Sequence, residues 1–241
     1  MYGMYGYGYG YGFDPTIILV LIGVALSLWA QGRVNSTFSR FSRVRSMTGM
    51  TGAEAARRLL NAQGIYDVTV QPIAGELTDH YDPRTKTVNL SQSVYGATSV
   101  AAIGVAAHEC GHAMQDNEGY APLRFRSALV PVANFGSSLS WPLILLGLVF
   151  GGLGSPLVEI GILMFSLAVL FQLVTLPVEY NASARAVRLL DSQGILAGEE
   201  VRGTRKVLNA AALTYVAAAA TSILQLLRLI ILFGGRNRRD N

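Results

Sequence analysis

Charged residues and cysteine are both scarce in this chain of 241 residues. Only 14% of the residues are charged and 51% are hydrophobic, whereas soluble domains carry about a quarter charged residues. This composition favours a membrane protein. The net charge of +4 comes from scattered single arginines without interleaved aromatics, which indicates membrane topology and predicts no nucleic-acid partner. With one cysteine, Cys110, the chain cannot form an internal disulfide.

Long uncharged runs predict about four membrane-spanning helices. No positive charge precedes the first run, 16–31, which favours an uncleaved anchor over a signal peptide and an N-terminus outside. The loop between the second and third runs lacks Lys and Arg, so we expect it outside as well. With the N-terminus outside, four spans place the C-terminus outside the cell, whereas the arginines of the C-terminal tail favour the cytoplasmic side.

The region 46–137 has the local signals of a soluble α+β unit. The segment Thr51-Gly-Ala-Glu54 predicts a capping box for a helix that ends at Gly64. A similar Gln-Gly-Ile ending at Gly194 favours a second ordinary helix end over an internal repeat. The stretch "YDVTVQPI" alternates like a strand, and "GELTDHYDPRTKTVNLS" predicts a β-hairpin that turns at its Asp-Pro pair. The alanine-rich "TSVAAIGVAAHECGHAMQ" predicts a buried helix.

The sequence HECGH in that helix carries the strongest chemical signal. His108 and His112 are four residues apart, so their imidazoles lie on one helical face and can bind one tetrahedral ion. Zinc suits such ligands, and Glu109 can act as general base on a metal-bound water, as in the H-E-x-x-H metalloprotease arrangement. Cys110 projects to the opposite side and is expected to be a small buried residue. The alternative interpretation is a helix with two surface histidines, or a structural metal.

A catalytic zinc site needs a third protein ligand. Glu179 is the best acidic candidate, because it leaves the third span on the side of His108 and His112, where a lone carboxylate at the membrane boundary indicates a function. Glu159 lies on the other side of the membrane, and the acidic residues just after the histidine helix are too close to fold back over it. The alternative is an interfacial glutamate in contact with water or an arginine.

Four stretches, "VAAHECGHAMQ", "LPVEYNASARA", "DHYDPRTKTVNLS" and "AALTYVAAA", resemble the YugP-type bacterial membrane zinc metallopeptidases, over residues 15 to 230 or so. That family is similar to gluzincin-type membrane proteases, in which a glutamate on a later helix completes the metal site. The resemblance implies a multi-pass protein of the bacterial plasma membrane. It implies His108, His112 and Glu179 as zinc ligands and Glu109 as general base. Where related enzymes have an acidic residue that orients a histidine, this chain has Asn181 and Ser183.

Other residues are candidates for handling the substrate. His80, Arg185 and Tyr215 could stabilise the oxyanion of the tetrahedral intermediate, and for each of them a structural role is the alternative. The strand "KTVNL" is expected to be an exposed edge that pairs with an extended substrate, or else a plain structural strand.

We therefore expect a mainly α membrane protein with a small α+β, zincin-like catalytic region that carries a β-hairpin. The expected segments are a disordered Tyr/Gly-rich tail (1–14), transmembrane helix 1 (15–32), a cytoplasmic catalytic region (33–137), a transmembrane hairpin (138–178), a cytoplasmic helix with the third ligand (179–206), a fourth transmembrane or membrane-associated helix (207–233) and a basic tail (234–241).

The predicted function is an integral membrane zinc endopeptidase that hydrolyses membrane-associated proteins or peptides. Its expected partners are a protein or peptide substrate and the lipid bilayer, and a homo-oligomer or a regulatory membrane partner is left open. We expect the active site on the cytoplasmic side of the bacterial plasma membrane. The alternative is a non-catalytic membrane scaffold with a structural zinc site, which would have no use for Glu109 as a base.

Overall fold

The computed structural model describes residues 14–152 and 155–234. The predicted Tyr/Gly tail up to residue 13 and the basic tail from residue 235 lie outside the described residues. Within these ranges the chain forms seven helices and three strands. In chain order they are α1 (Ile17–Ser42), α2 (Gly52–Ala62), β1 (Thr69–Ile73), β2 (His80–Asp82), β3 (Thr87–Ser91), α3 (Gln92–Tyr95), α4 (Val100–Asn117), α5 (Ala121–Gly151), α6 (Pro156–Ser192) and α7 (Glu199–Phe233).

Four helices, α1, α5, α6 and α7, are long and apolar enough to cross a membrane. This confirms the predicted mainly α membrane fold. The helices extend beyond the uncharged runs, since α5 already begins at Ala121 and α6 continues through Pro177 as far as Ser192. Pro177 removes one backbone donor and crowds the preceding turn, but the residues after it on α6 continue an apolar stripe that includes the buried Ala182 and Ala186. The division expected between 178 and 179 therefore falls inside one helix.

The predicted helix ends are confirmed. Helix α2 begins with a capping box in which the Thr51 side chain and the Glu54 carboxylate each accept a backbone N–H of the other residue. Gly64 and Gly194 follow the ends of α2 and α6 with φ of 69° and 60°, the left-handed conformation that glycine adopts without steric cost. After each glycine an isoleucine N–H donates to a leucine carbonyl of the last turn at 3.0 Å. Both are therefore ordinary helix ends with the same local chemistry.

The three strands form one small sheet in the order β1-β3-β2. The predicted hairpin is confirmed, because β2 pairs antiparallel to β3 with His80 opposite Asn89. Strand β1 pairs parallel to β3 on its other side, with Thr69 opposite Thr87. Of the two expectations for "KTVNL", the exposed edge is therefore wrong and the structural strand agrees with the fold: β3 is the central strand, and all five of its residues are buried. The sequence pattern of a hairpin does not reveal that an earlier strand will cover its far side.

Helix α4 lies at the centre of the molecule, in contact with α2, α6 and α7. Its alanines belong to an apolar core that includes Leu59, Leu90, Leu190 and Ile195, and burial of such side chains stabilises the fold by about 1.5–3 kcal/mol each. This core fixes α4 between the sheet and the membrane helices. The HECGH sequence is thus carried by the most enclosed of the described helices.

Candidate metal centre

Three side chains on α4 and α6 converge on one point. The Nε2 atoms of His108 and His112 lie 3.2 Å and 3.5 Å from Oε2 of Glu179, and the ligand atoms of the three residues are all within 4.8 Å of one another. Zinc bound tetrahedrally at about 2.0–2.1 Å needs donor atoms roughly 3.3 Å apart. The separations of the glutamate oxygen from the two imidazoles therefore fit a zinc ion.

A glycine inside the motif allows this convergence. A Cβ atom added at Gly111 would lie 2.6 Å from the carbonyl oxygen of Ala182, so only glycine lets α4 approach α6 this closely. The contact lies between the two histidines on α4 and one turn after Glu179 on α6. The sequence spacing places the histidines on one face, and the helix crossing at Gly111 brings the carboxylate to them.

Hydrogen bonds hold each imidazole by its other nitrogen. Nδ1 of His108 is 3.1 Å from the hydroxyl oxygen of Ser183, and Nδ1 of His112 is 3.0 Å from Oε1 of Gln115. The Gln115 amide donates to the Val178 carbonyl at 2.9 Å, so its oxygen is the atom that faces His112. Such contacts fix the tautomer and leave both Nε2 atoms directed at the metal position.

Asn181 acts one step further from the metal. Its side-chain oxygen accepts a hydrogen bond from the Gln115 amide at 3.0 Å and another from Arg185 at 2.7 Å. Arg185 also pairs with Glu118 at 2.6 Å, and this hydrogen bond to the guanidinium lowers the pKa of the Glu118 carboxyl. Ser183 and Asn181 thus lie on the supporting network, where the sequence predicts them.

Glu109 is buried beside the histidines. One of its carboxylate oxygens accepts the backbone N–H of Tyr81 at 3.0 Å, which ties α4 to strand β2. Glu109 shares a pocket of about 250 Å³ with His108, Glu179 and Tyr215. Glu109, two of the three candidate ligands and the Tyr215 side chain therefore border one pocket.

Two of the predicted oxyanion residues are not among the side chains that line this pocket. His80 lies on β2 with its ring nitrogens against the Thr78 carbonyl and the Asn89 side chain. Arg185 is engaged with Glu118 and stacks over the Tyr120 ring. Tyr215, on α7, is the member of the predicted trio that faces the metal centre.

Three polar residues of the site are absent from the predicted set. Gln115 could have been recognised, because it lies three residues after His112 on the same helical face. Arg126 on α5 places Nη1 3.6 Å from Oε1 of Glu179, so the glutamate has a cation beside the oxygen that is turned away from the histidines. Asp79 lines the pocket and accepts two hydrogen bonds from Ser91, and burial raises its pKa. The positions of Arg126 and Asp79 in the sequence have no regular spacing from the histidines that could have indicated them.

Cys110 lies on the opposite side of α4, as predicted. Its thiol is buried and donates to the Ala56 carbonyl at 3.6 Å. Burial raises the pKa of this thiol. The neutral S–H is therefore a packing group of the core, and the metal centre contains no cysteine.

Comparison with known proteins agrees with this geometry. A family model described as "Putative neutral zinc metallopeptidase" matches residues 16–234. The "Putative membrane protease YugP" of Bacillus subtilis (strain 168) is 49% identical over 224 residues, which cover 93% of this chain and 98% of that protein. No solved structure matches the chain. The resemblance in the sequence is confirmed, and the chain, a multi-pass membrane protein by its four apolar helices, belongs to this family of zinc metallopeptidases.

Proposed function

We propose that this protein is an integral membrane endopeptidase that hydrolyses peptide bonds with zinc held by His108, His112 and Glu179. The observation that carries the proposal is the approach of one Glu179 oxygen to both imidazoles, with Glu109 in the same pocket. Bound zinc supplies a water of lowered pKa and polarises the carbonyl of the scissile bond. The alternative, a structural site, would close its fourth position with another protein ligand.

Glu109 is the proposed general base. The Tyr81 amide holds one of its carboxylate oxygens, which leaves the other to take a proton from the attacking water. The same carboxyl then delivers that proton to the departing amine nitrogen. The Tyr215 hydroxyl faces the same pocket and is the proposed donor to the oxyanion.

The proposed substrates are membrane-associated proteins or peptides. The walls of the pocket include Gln31 and Val34 of α1 and Ala211 and Thr214 of α7, so two membrane helices border the reaction volume. A peptide bond can therefore reach the base at the boundary of the bilayer. Because arginines follow the first span, we place this boundary on the cytoplasmic side of the bacterial plasma membrane.

The replacement of Glu109 by glutamine tests the proposal. In the purified full-length protein, Glu109→Gln should bind one zinc like the wild type and lose peptide cleavage by at least about 100-fold, since general-base catalysis contributes 10²–10⁴-fold. Zinc content is measured by atomic absorption and cleavage with a fluorogenic peptide library and an unfolded membrane protein.

Glu199→Gln is the matched control, because it changes an exposed glutamate that pairs with Arg202 outside the pocket, and it should keep both zinc and activity. Unchanged cleavage by Glu109→Gln would reject the general base. A wild-type protein that binds zinc and cleaves none of these substrates would instead favour the scaffold.

A further inference from the structure

A second cavity lies between α1 and α7, separate from the metal centre, and we call it the α1–α7 groove. Its volume is about 690 Å³. Each helix contributes residues at spacings of three and four, which place them on a single face. The α1 face consists of Arg33, Ser36, Thr37 and Arg40, and the α7 face consists of Lys206, Asn209, Ala210 and Leu213. A largely polar face of α1 is thus turned towards a face of α7 that is half polar and half apolar.

The charge of the groove is entirely positive. Among the residues that the structure describes, Arg33, Arg40 and Lys206 make no ion pair, and no acidic side chain lines the groove. At the other end of the same helix pair, by contrast, Arg228 of α7 pairs with Asp14 before α1 at 2.8 Å. Three exposed cations that line one cavity without an acidic neighbour favour the binding of an anion there.

The groove lies at the level where the membrane helices become polar. The uncharged run of α1 ends at Gln31, two residues before Arg33. The uncharged run of α7 begins at Val207, directly after Lys206. Arg33 and Lys206 therefore lie at the edge of the hydrocarbon layer, where lipid phosphates lie, and Arg40 lies two turns further towards the aqueous side.

The remaining side chains suit a phospholipid headgroup. The Asn209 amide and the exposed Tyr180 hydroxyl can donate hydrogen bonds to phosphate oxygens, while Phe41 and Leu213 offer apolar surface. Basic pockets between membrane helices are a known way to hold anionic headgroups. We propose that the α1–α7 groove binds the phosphate of an anionic phospholipid.

This lipid site adjoins the metal centre without belonging to it. Tyr180 of the groove is the next residue of α6 after Glu179, and α7 forms a wall of both cavities. The proposal needs only the four membrane helices, so lipid binding can be tested whether or not the protein cleaves peptides.

Lipid titration of the purified full-length protein tests the site. Native mass spectrometry in a neutral maltoside detergent would compare dioleoyl phosphatidylglycerol with dioleoyl phosphatidylcholine, since such micelles offer no charged surface to scattered arginines. The wild type should retain phosphatidylglycerol in preference to phosphatidylcholine. Each lost cation should weaken that binding about fivefold, and the triple variant Arg33→Gln/Arg40→Gln/Lys206→Gln about 100-fold.

The matched control removes three arginines that do not line the groove, of which Arg43 and Arg45 follow the end of α1 and Arg205 lies on α7. Arg43→Gln/Arg45→Gln/Arg205→Gln should bind phosphatidylglycerol like the wild type, within about threefold. Zinc content reports whether each variant is folded. If the triple variant does not retain zinc, the single variants Arg40→Gln and Lys206→Gln carry the test, each with the fivefold loss.

Three results would overturn the lipid site. One is equal retention of the two lipids by the wild type, and another is an equal loss of binding in the test and control variants. The third comes from an arm with inorganic phosphate, because phosphate that displaces the lipid at millimolar concentration would identify a site for the free anion. The charge-preserving variant Arg33→Lys/Arg40→Lys should keep most of the binding.

Discussion

Helix α4 buries two opposite faces for different reasons. The face with His108, His112 and Gln115 is polar, and every imidazole nitrogen on it has a partner on α6 or on α4 itself. The face with Ala106 and Cys110 is apolar and packs into the core with α2, where the thiol makes one weak hydrogen bond. Burial alone therefore does not mark the site. What distinguishes the site is a pair of buried imidazoles whose Nδ1 atoms are hydrogen-bonded and whose Nε2 atoms point to one position.

Among these variants, loss of the Glu179 carboxylate should have the largest effect on the polar face of α4. Glu179→Ala removes one of three ligands and leaves Arg126 beside an empty position, so we expect loss of stoichiometric zinc and of all peptide cleavage. Zinc is measured on the purified protein by inductively coupled plasma mass spectrometry.

Glu199→Ala provides the comparison for this variant, because it removes an exposed glutamate that pairs with Arg202 away from the metal site. It should keep a full equivalent of zinc. A Glu179→Ala protein that still holds one zinc per chain would show that another group completes the site.

Loss of the hydrogen bond between Gln115 and His112 should have a smaller effect. Gln115→Ala leaves Nδ1 of His112 without its acceptor and opens the contacts to Val178 and Asn181. We expect zinc affinity to fall about 10–100-fold, measured by competition with a chromophoric chelator.

Gln63→Ala is the control for this change, since Gln63 is an exposed glutamine just after α2. It should leave zinc affinity unchanged. Were Gln115→Ala to bind zinc like the wild type and only melt earlier, Gln115 would be a packing residue with no part in positioning His112.

The opposite face of α4 should show the smallest effect. Cys110→Ala removes a buried sulfur atom but no ligand, so zinc content and cleavage should stay at wild-type levels while the free energy of unfolding falls by about 1 kcal/mol. Chemical denaturation in detergent measures the stability. Loss of zinc in this variant would contradict the separation of the two faces.

Much of the local structure follows from the sequence alone. The capping box at Thr51, the glycine ends at Gly64 and Gly194 and the β2–β3 hairpin all depend on residues within a few positions of one another, and all were confirmed. The exposed edge, one of the two expectations for β3, is wrong, because the central position depends on β1, which pairs from an earlier part of the chain. The error is one of long-range pairing, which no local pattern encodes.

The sequence by itself determined a pair of imidazoles on one helical face, four apolar runs and Glu179 as the candidate third ligand. Only the tertiary structure decided how these groups meet and which residues support them. The close approach at Gly111 brings Glu179 to the two histidines, Gln115 of α4 holds His112, and Arg126 of α5 lies beside Glu179. The reason is physical, because ligand geometry depends on distances of a few ångströms between helices that are far apart in the chain.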